Sequence, residues 1–183
     1  LHHQVEYLDS GLAAYSYIGA GRIDGDQKGE YCAVFFDTTK VNPVMSKTFW
    51  LSQTGDTGVA GWDAALERIC TYALFEARSS GNKVHVYNAH FDHHGEESRV
   101  MSSRLILDSI ASSGRDSCAV ILMGDFNALS DSRAVKQFSE VLDDALQTEK
   151  VPFYGPVGTF KHFDTGHIPD KLIDDIFTKN LVV

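Results

Sequence analysis

Residues 118–128 read CAVILMGDFNA, six apolar residues that lead directly into a Gly-Asp-Phe-Asn-Ala segment. An apolar run of this length that ends at a glycine predicts a buried strand followed by a sharp turn. Asp125 and Asn127 would then stand at the carboxyl end of the strand, where the sites of layered α/β folds commonly lie. A carboxylate in that place can bind a cation or take a proton, and a neighbouring amide can orient a phosphate oxygen without adding negative charge.

A second predicted strand ends in the same kind of segment. Residues 84–87, VHVY, lead into Asn-Ala-His at 88–90, and the Gly-Asn pair at 81–82 predicts a hairpin turn before them. The preceding stretch 69–77 has features of both helix and strand, and the turn favours a strand. His90 would therefore lie at a strand end, where an imidazole that titrates near neutral pH can give or take a proton.

The rest of the chain alternates short strands with helices. Strands are predicted at 15–18, 30–36, 41–51, 69–77, 84–90, 118–123, 158–160 and 171–177. Helices are predicted at 2–10, 96–112 and 132–140. Val5, Leu8 and Leu12 mark one apolar face of the first helix. Strand pairs mixed with helices predict an α/β (α+β) fold in which two sheets pack together with the helices outside.

Composition limits the class of protein. The chain has 183 residues and 43% hydrophobic content, which suits a single core. No apolar stretch reaches the ~20 residues that span a membrane. The formal charge of −9, from 25 acidic and 16 basic residues, argues against a basic face that holds long nucleic acid. It permits a small or single-stranded phosphate ester that a divalent cation bridges to carboxylates.

Together these segments resemble the endonuclease/exonuclease/phosphatase superfamily of DNase I-like, metal-dependent phosphoesterases. Its members carry an Asn-x-His segment and a Gly-Asp-Phe-Asn-Ala segment on neighbouring strands. Further matching segments occur in the family's order: Gly-Arg-Ile-Asp-Gly at 21–25, Gly-Glu-Tyr-Cys-Ala-Val-Phe-Phe at 29–36, Phe-Trp-Leu-Ser at 49–52, Gly-Thr-Phe at 158–160 and Ile-Asp-Asp-Ile-Phe at 173–177. The resemblance implies a DNase I-like two-sheet β-sandwich with helices on the outside, formed by one domain over residues 1–183.

The resemblance also implies two segments that this sequence does not contain. The family has an upstream strand ending in Gln-Glu, whose Glu is the principal magnesium ligand, and a downstream Ser-Asp-His segment that supplies a catalytic His. Gln4-Val5-Glu6 does not replace the first of these, because it lies on the predicted helix. We therefore expect a domain that is incomplete at both ends, with the N- and C-terminal strands missing and sheet edges exposed.

The resemblance assigns roles to the residues at the two strand ends. His90 would be the general acid or electrophile at the phosphoryl group, with Glu30 as the carboxylate that orients it. Asp125 would bind or deprotonate the attacking water, directly or through a metal ion, and Asn127 would hold the phosphate. Asp125 and Asn127 are also the predicted ligands of Mg2+ or Mn2+, with the principal Glu ligand absent from this chain. An imidazole on one strand and a carboxylate–amide pair on its neighbour suit in-line displacement at phosphorus.

Further residues are carried over from the resemblance. Asp174 matches the family Asp that pairs with the His of Ser-Asp-His, and we favour it over Asp175, where related sequences usually have an aromatic residue or His. Arg68 would contact the phosphate or else form an exposed salt bridge. Asn88 would contribute to substrate binding by supporting the loop after its strand. Arg22, in the glycine-rich loop, would line the substrate rim or stabilise that loop.

These residues predict a Mg2+- or Mn2+-dependent phosphoesterase that hydrolyses a phosphodiester or phosphomonoester with an activated water. Its partner would be a phosphate-ester substrate, either a small molecule or a single-stranded nucleic acid. A second hypothesis is a truncated, catalytically impaired domain that binds a ligand or a partner, because two family segments are missing.

A zinc hydrolase is a third hypothesis. His90-x-Asp92-His93 is half of the His-x-His-x-Asp-His zinc motif, but residue 88 is Asn, and zinc needs three or four well-placed ligands. The other interpretation of Asp92 and His93 is a rim loop that flanks the catalytic His90.

Overall fold

The structure of the protein, a computed structural model, describes residues 1–113, 118–148, 155–156, 158–161, 166 and 168–181. Its helices are α1 (His2–Gly11), α2 (Glu96–Ser112), α3 (Arg133–Ser139) and α4 (Ala145–Thr148). Its strands are β1 (Tyr15–Ile18), β2 (Val34–Asp37), β3 (Val41–Trp50), β4 (Ile69–Ala77), β5 (Lys83–His90), β6 (Ala119–Asp125), β7 (Asp143–Asp144) and β8 (Asp174–Lys179). None of the helices in these ranges has the length and apolar character that a membrane crossing requires.

The strands form two sheets. The larger sheet has six strands in the order β3-β4-β5-β6-β8-β7, and the smaller sheet pairs β1 with β2. β5 and β6 run parallel, and the other neighbouring pairs are antiparallel. A parallel pair needs a long crossover connection, and α2, with 17 residues, provides it here.

The two sheets pack face to face, and helices cover the outer face of the larger sheet. Val34 of the small sheet packs with Phe75 and Val86 of the large sheet. The opposite face of the large sheet forms a second cluster with Ile106 of α2 and Phe138 of α3. This arrangement confirms the predicted two-sheet sandwich with helices on the outside.

Most predicted elements are confirmed, and the differences have local causes. β1, β4 and α2 have the predicted bounds. β2 begins at Val34 instead of residue 30, because the Glu30 carbonyl accepts a hydrogen bond from the preceding loop. The strand predicted at 158–160 reduces to a single bridge between Phe160 and Lys171. β7 and α4 have two and four residues, and neither was predicted.

A close approach of β5 and β6 brings the two predicted strand ends together. In their parallel register His90 is the partner of Asp125, one position after Ala89 pairs with Gly124. A Cβ atom on Gly124 would lie 1.9 Å from the Ala89 carbonyl oxygen, so only glycine allows this contact. The two strands therefore end side by side, and their terminal polar residues lie at one edge of the sheet.

Candidate functional site

His90 lies between two carboxylates at the end of β5. Its Nδ1 atom is 3.4 Å from Glu30 Oε2, and its Nε2 atom is 3.6 Å from Asp125 Oδ2. Burial, and then the positive charge of Arg68, lower the pKa of His90 to about 4, against an opposing effect of Glu30. The ring is therefore neutral at pH 7. Only one of its two nitrogens then carries a proton and can donate it to the carboxylate on its side.

Asp125 and Asn127 form a small turn after β6. Asp125 Oδ1 accepts a hydrogen bond from Asn127 N at 2.9 Å, and Asn127 Nδ2 donates to Phe91 O at 2.9 Å. Asn127 has a φ of 48°, a left-handed conformation that Asn tolerates better than most residues. The turn is thus tied to the loop after β5, while Oδ2 of Asp125 and the amide oxygen of Asn127 take no part in these bonds.

Negative charge is concentrated around Asp125. Burial raises the pKa of Asp125, and the charges of Asp174 and Glu30 raise it further. The hydrogen bond from Asn127 N and the charge of Arg68 lower this pKa and offset part of the rise. Asp174 is the antiparallel partner of Asp125 across β6 and β8, so both side chains point to the same face of the sheet. A bound cation would relieve this repulsion and favour the charged carboxylates.

Asp174 and Asp175 point to opposite faces of β8. Asp175 is the partner of Gly124 and shares the helix-covered face with Phe177, where it is only 7% exposed. Burial, with the charges of Asp144 and Asp174, raises the pKa of Asp175 to about 6. Its Oδ2 has no hydrogen-bond partner among the described residues. Of the two, Asp174 is therefore the residue on the side of Asp125.

Two arginines converge on the Glu30 carboxylate. Arg22 Nη1 donates to Glu30 Oε2 at 2.6 Å, and Arg68 Nη1 lies 4.0 Å from the same oxygen. The indole N–H of Trp50 donates to the Arg22 carbonyl at 2.7 Å and so fixes the glycine-rich loop. Arg22 Nε and Arg68 Nη1 are buried and have no hydrogen-bond partner within the described part of the chain. Such unpaired donors suit an anionic group that binds beside Glu30.

Arg68 forms a buried ion pair, so the exposed salt bridge considered from the sequence is wrong. Its Nε donates to Asp92 Oδ2 at 3.2 Å, and its Nη2 lies 2.9 Å from His93 Nδ1. Asp92 is 1% exposed, so the rim position predicted for it is also wrong. The side chain of His93 is 54% exposed, which agrees with the rim position predicted for that residue. Burial raises the pKa of Asp92, but the N–H groups of Gly95 and His94 outweigh it and hold that pKa well below its usual value.

Asn88 connects β5 to the small sheet. Its Nδ2 donates to the Ala33 carbonyl at 2.9 Å, directly before β2 begins. This bond holds β5 against the segment that carries Glu30, and not against the loop after β5 that the sequence analysis expected Asn88 to support. A contact between Asn88 and a substrate stays a prediction.

Asp125 and Asn127 are the residues that could hold a divalent cation, each through one oxygen. Mg2+ accepts one or two protein carboxylates together with water and substrate oxygens, so this donor set fits it. Over the described ranges, no three or more His, Cys, Asp or Glu side chains are grouped to hold a metal ion. The zinc hypothesis gains no support, because Asp92 is bonded to Arg68 and Asn88 to a backbone carbonyl.

No protein-family model and no curated protein matches this chain. A mannosyl-6-phosphatase of known structure from Bacteroides thetaiotaomicron is 37% identical, with a TM-score of 0.91 over 97% of this chain and 67% of that chain. An endonuclease/exonuclease/phosphatase family protein from the same organism has the same identity and TM-score, over 97% of this chain and 65% of that one.

A third relative is an endonuclease/exonuclease/phosphatase from Bacteroides vulgatus. It is 35% identical, with a TM-score of 0.87, over 98% of this chain and 70% of its own. The protein thus spans 65% to 70% of the length of these three relatives and matches them along nearly all of its own residues. The chain belongs to the endonuclease/exonuclease/phosphatase family.

Proposed function

We propose that this protein is a metal-dependent phosphoesterase, which hydrolyses a phosphate ester with an activated water. The position of His90 between Glu30 and Asp125, at the adjoining ends of two parallel strands, supports this function most strongly. Family membership supports the same class of reaction, since a relative with 37% identity is a phosphatase.

His90 and Glu30 form the acid–base part of the proposed site. With its proton on Nδ1, next to Glu30, the neutral ring presents Nε2 toward Asp125. When the ring takes up a second proton, both carboxylates stabilise its positive charge. His90 can then donate that proton to a phosphoryl or leaving-group oxygen, which is general acid catalysis.

Asp125 and Asn127 form the part that handles water and phosphate. Asp125 would orient the attacking water and accept its proton, while the Asn127 amide would orient a phosphate oxygen. Mg2+ or Mn2+ held by these two residues would supply Lewis-acid stabilisation of the developing negative charge. Asp174, on the same face, adds negative charge that favours cation binding.

The proposed substrate is a small phosphate ester. A net charge of −9 disfavours long duplex nucleic acid, whose binding depends on many Lys and Arg contacts. One relative acts as a mannosyl-6-phosphatase, which makes phosphomonoesters of small molecules the first class to test. Phosphodiesters and single-stranded nucleic acid are the next classes, and the buried donors of Arg22 and Arg68 suit an anionic group in each case.

A substrate panel tests this function. The purified protein would be incubated with sugar phosphates, nucleotides, chromogenic phosphomono- and diesters and a single-stranded oligonucleotide, in Mg2+, Mn2+ or EDTA. We expect hydrolysis with Mg2+ or Mn2+, its loss with the chelator and its return when metal is added back. A rate that EDTA does not change would contradict metal assistance. Absence of hydrolysis, both by these 183 residues and by any longer native chain that contains them, would contradict the function itself.

A phosphate-ester-binding domain with impaired catalysis is the second candidate. It is favoured by the arrangement of the His, Cys, Asp and Glu side chains in the described residues, where no group of three or more is placed to hold a metal ion. The protein would then bind a panel compound without converting it. Calorimetry followed by product analysis separates the candidates, since binding without product after long incubation supports the binding domain and product formation supports the enzyme.

A further inference from the structure

Asp92, just after β5, carries a buried carboxylate that accepts four hydrogen bonds. Its Oδ1 atom accepts from His94 N at 2.9 Å and from Gly95 N at 2.8 Å. Its Oδ2 atom accepts from Leu66 N at 3.2 Å and from Arg68 Nε at 3.2 Å. A buried carboxylate that is bonded in this way is a fixed negative charge.

Arg68 is the side chain that Asp92 holds in place. Because its Nε is bonded to Asp92 and its Nη2 lies 2.9 Å from His93 Nδ1, the planar guanidinium has a fixed orientation. The remaining Nη1 atom, which has no hydrogen-bond partner among the residues described, lies 4.0 Å from Glu30 Oε2. The same oxygen lies 3.4 Å from His90 Nδ1. A chain of charged groups thus runs from Asp92 to the catalytic imidazole.

We propose that Asp92 is a positioning residue, which holds Arg68 back from Glu30 and thereby keeps Glu30 beside His90. The inference rests on the proposed phosphoesterase function, in which His90 needs a carboxylate at Nδ1. A guanidinium next to a carboxylate tends to close into a bidentate pair. Without the charge of Asp92, Arg68 would move onto Glu30 and draw its oxygen away from His90.

Asp92 is itself anchored to two further elements, which makes it a stable reference point. Arg99 Nη1, on α2, donates to the Asp92 carbonyl at 2.8 Å. The Leu66 N–H group ties Asp92 to the loop that connects β3 and β4. The position of Arg68 is therefore set by the scaffold, as is usual for residues that support a catalytic group from behind.

Asp63 provides a matched comparison. It accepts hydrogen bonds from Ser98 N at 2.7 Å and from Glu97 N at 3.3 Å, so it stabilises the start of α2 by the same chemistry that Asp92 uses toward backbone. Asp92 has in addition its ion pair with Arg68. Asp63 is exposed and Asp92 is buried, so the comparison concerns the tautomer of His90 and not stability. A purely structural role for Asp92 would leave that tautomer unchanged in both variants.

The test compares three proteins: the unsubstituted parent protein, the Asp92→Asn variant and the Asp63→Asn variant. It measures the tautomer of His90 and the turnover in each. Imidazole 15N NMR at fixed pH and without metal reports which ring nitrogen carries the proton, and a His90→Gln sample assigns the signals. We expect Asp92→Asn to shift the population from Nδ1–H toward Nε2–H, because Glu30 no longer faces Nδ1, and Asp63→Asn to leave it unchanged. In the metal-containing assay Asp92→Asn should lower kcat about 10- to 100-fold and change KM less than about threefold.

Arg68→Lys is the second variant if Asp92→Asn does not fold. It keeps the charge but loses the forked geometry, so it should shift the same tautomer population. An unchanged His90 tautomer in the folded variant overturns the proposal, and so does an equal shift in Asp63→Asn. If the parent protein has no phosphoesterase activity but the tautomer shifts only in Asp92→Asn, the proposed function fails and the positioning role stands.

Discussion

The pKa values of His90 and Asp125 shift in opposite directions, and burial is the largest cause of both shifts. It lowers the pKa of His90 to about 4 and raises the pKa of Asp125. Both shifts favour the neutral form of the side chain. A divalent cation beside Asp125 would restore the charged carboxylate, and a phosphoryl group beside His90 would favour the protonated ring. In the proposed function, the charged forms of Asp125 and His90 would therefore arise when metal and substrate bind.

Asp175 leads to a prediction about stability and pH. Its pKa is raised to about 6, first by burial and then by Asp144 and Asp174, from an ordinary value of 3.8. Because the folded state favours the protonated carboxyl, the contribution of Asp175 to stability is fully present below about pH 4 and is lost as pH rises to about 6. Asp175→Asn should raise the free energy of unfolding by about 3 kcal/mol at pH 7.5 and change it little near pH 4. Urea unfolding at both pH values measures this difference.

An exposed aspartate serves as the control for that comparison. Asp108 lies on the outer side of α2, so Asp108→Asn should change stability little at either pH. A gain for Asp175→Asn that is the same at both pH values would contradict a buried, unpaired carboxylate at this position. A loss of stability at pH 7.5 would contradict it as well.

The positions of the candidate-site residues at strand ends were predictable from the sequence, whereas contacts made through loops were not. The meeting of His90 and Asp125 follows from two strands that end in polar segments and lie side by side. The ion pair of Arg68 and Asp92 depends on how two loops fold back on each other, which no local pattern specifies. The polar run around Asp92 is typical of an exposed loop. One local signal does point to the observed bond, because an Asp side chain often accepts a hydrogen bond from the backbone N–H two residues later, here that of His94.

Among the elements, the contact between β5 and β6 depends on Gly124. A Cβ atom there would lie 1.9 Å from the Ala89 carbonyl oxygen. The backbone of β5 cannot move away from it without separating β5 from β6. Gly124→Ala should lower the free energy of unfolding by about 3 kcal/mol or prevent folding, as thermal denaturation would measure. Gly11→Ala is the control, because a Cβ at the end of α1 meets no atom within 4 Å. Equal stability of the two variants would contradict the close approach of the strands.

Element bounds were predictable where hydrophobic pattern and turn chemistry agree. The β4–β5 hairpin lies where the sequence placed it, and Gly81 has the positive φ, 72°, that its turn requires. The start of β2 differs because the Glu30 carbonyl accepts a hydrogen bond from Arg22 N in the preceding loop, a pairing that strand propensity does not encode. β7 and α4, with two and four residues, are too short to give a periodic signal.

At the scale of the whole molecule, the small sheet covers only part of the large one. Val34 packs over β4 and β5, whereas Ile176 of β8, on the same face, is 51% exposed. α1 likewise buries Val5 and leaves Leu8 47% exposed, so only part of its predicted apolar face is covered. Within the described residues the sandwich is therefore open on the side of β8, next to the edge where His90 and Asp125 lie.

Steady-state kinetics can decide whether His90 and Asp125 act together on one phosphorus centre. His90→Gln, Asp125→Asn and the exposed neighbour His94→Gln would be compared with the parent protein in Mg2+ or Mn2+, with circular dichroism melting as the check on folding. His90→Gln and Asp125→Asn should each lower kcat at least about 1000-fold with the fold intact, while His94→Gln should retain parental turnover. Retained turnover in a folded His90→Gln or Asp125→Asn protein would contradict the proposed site.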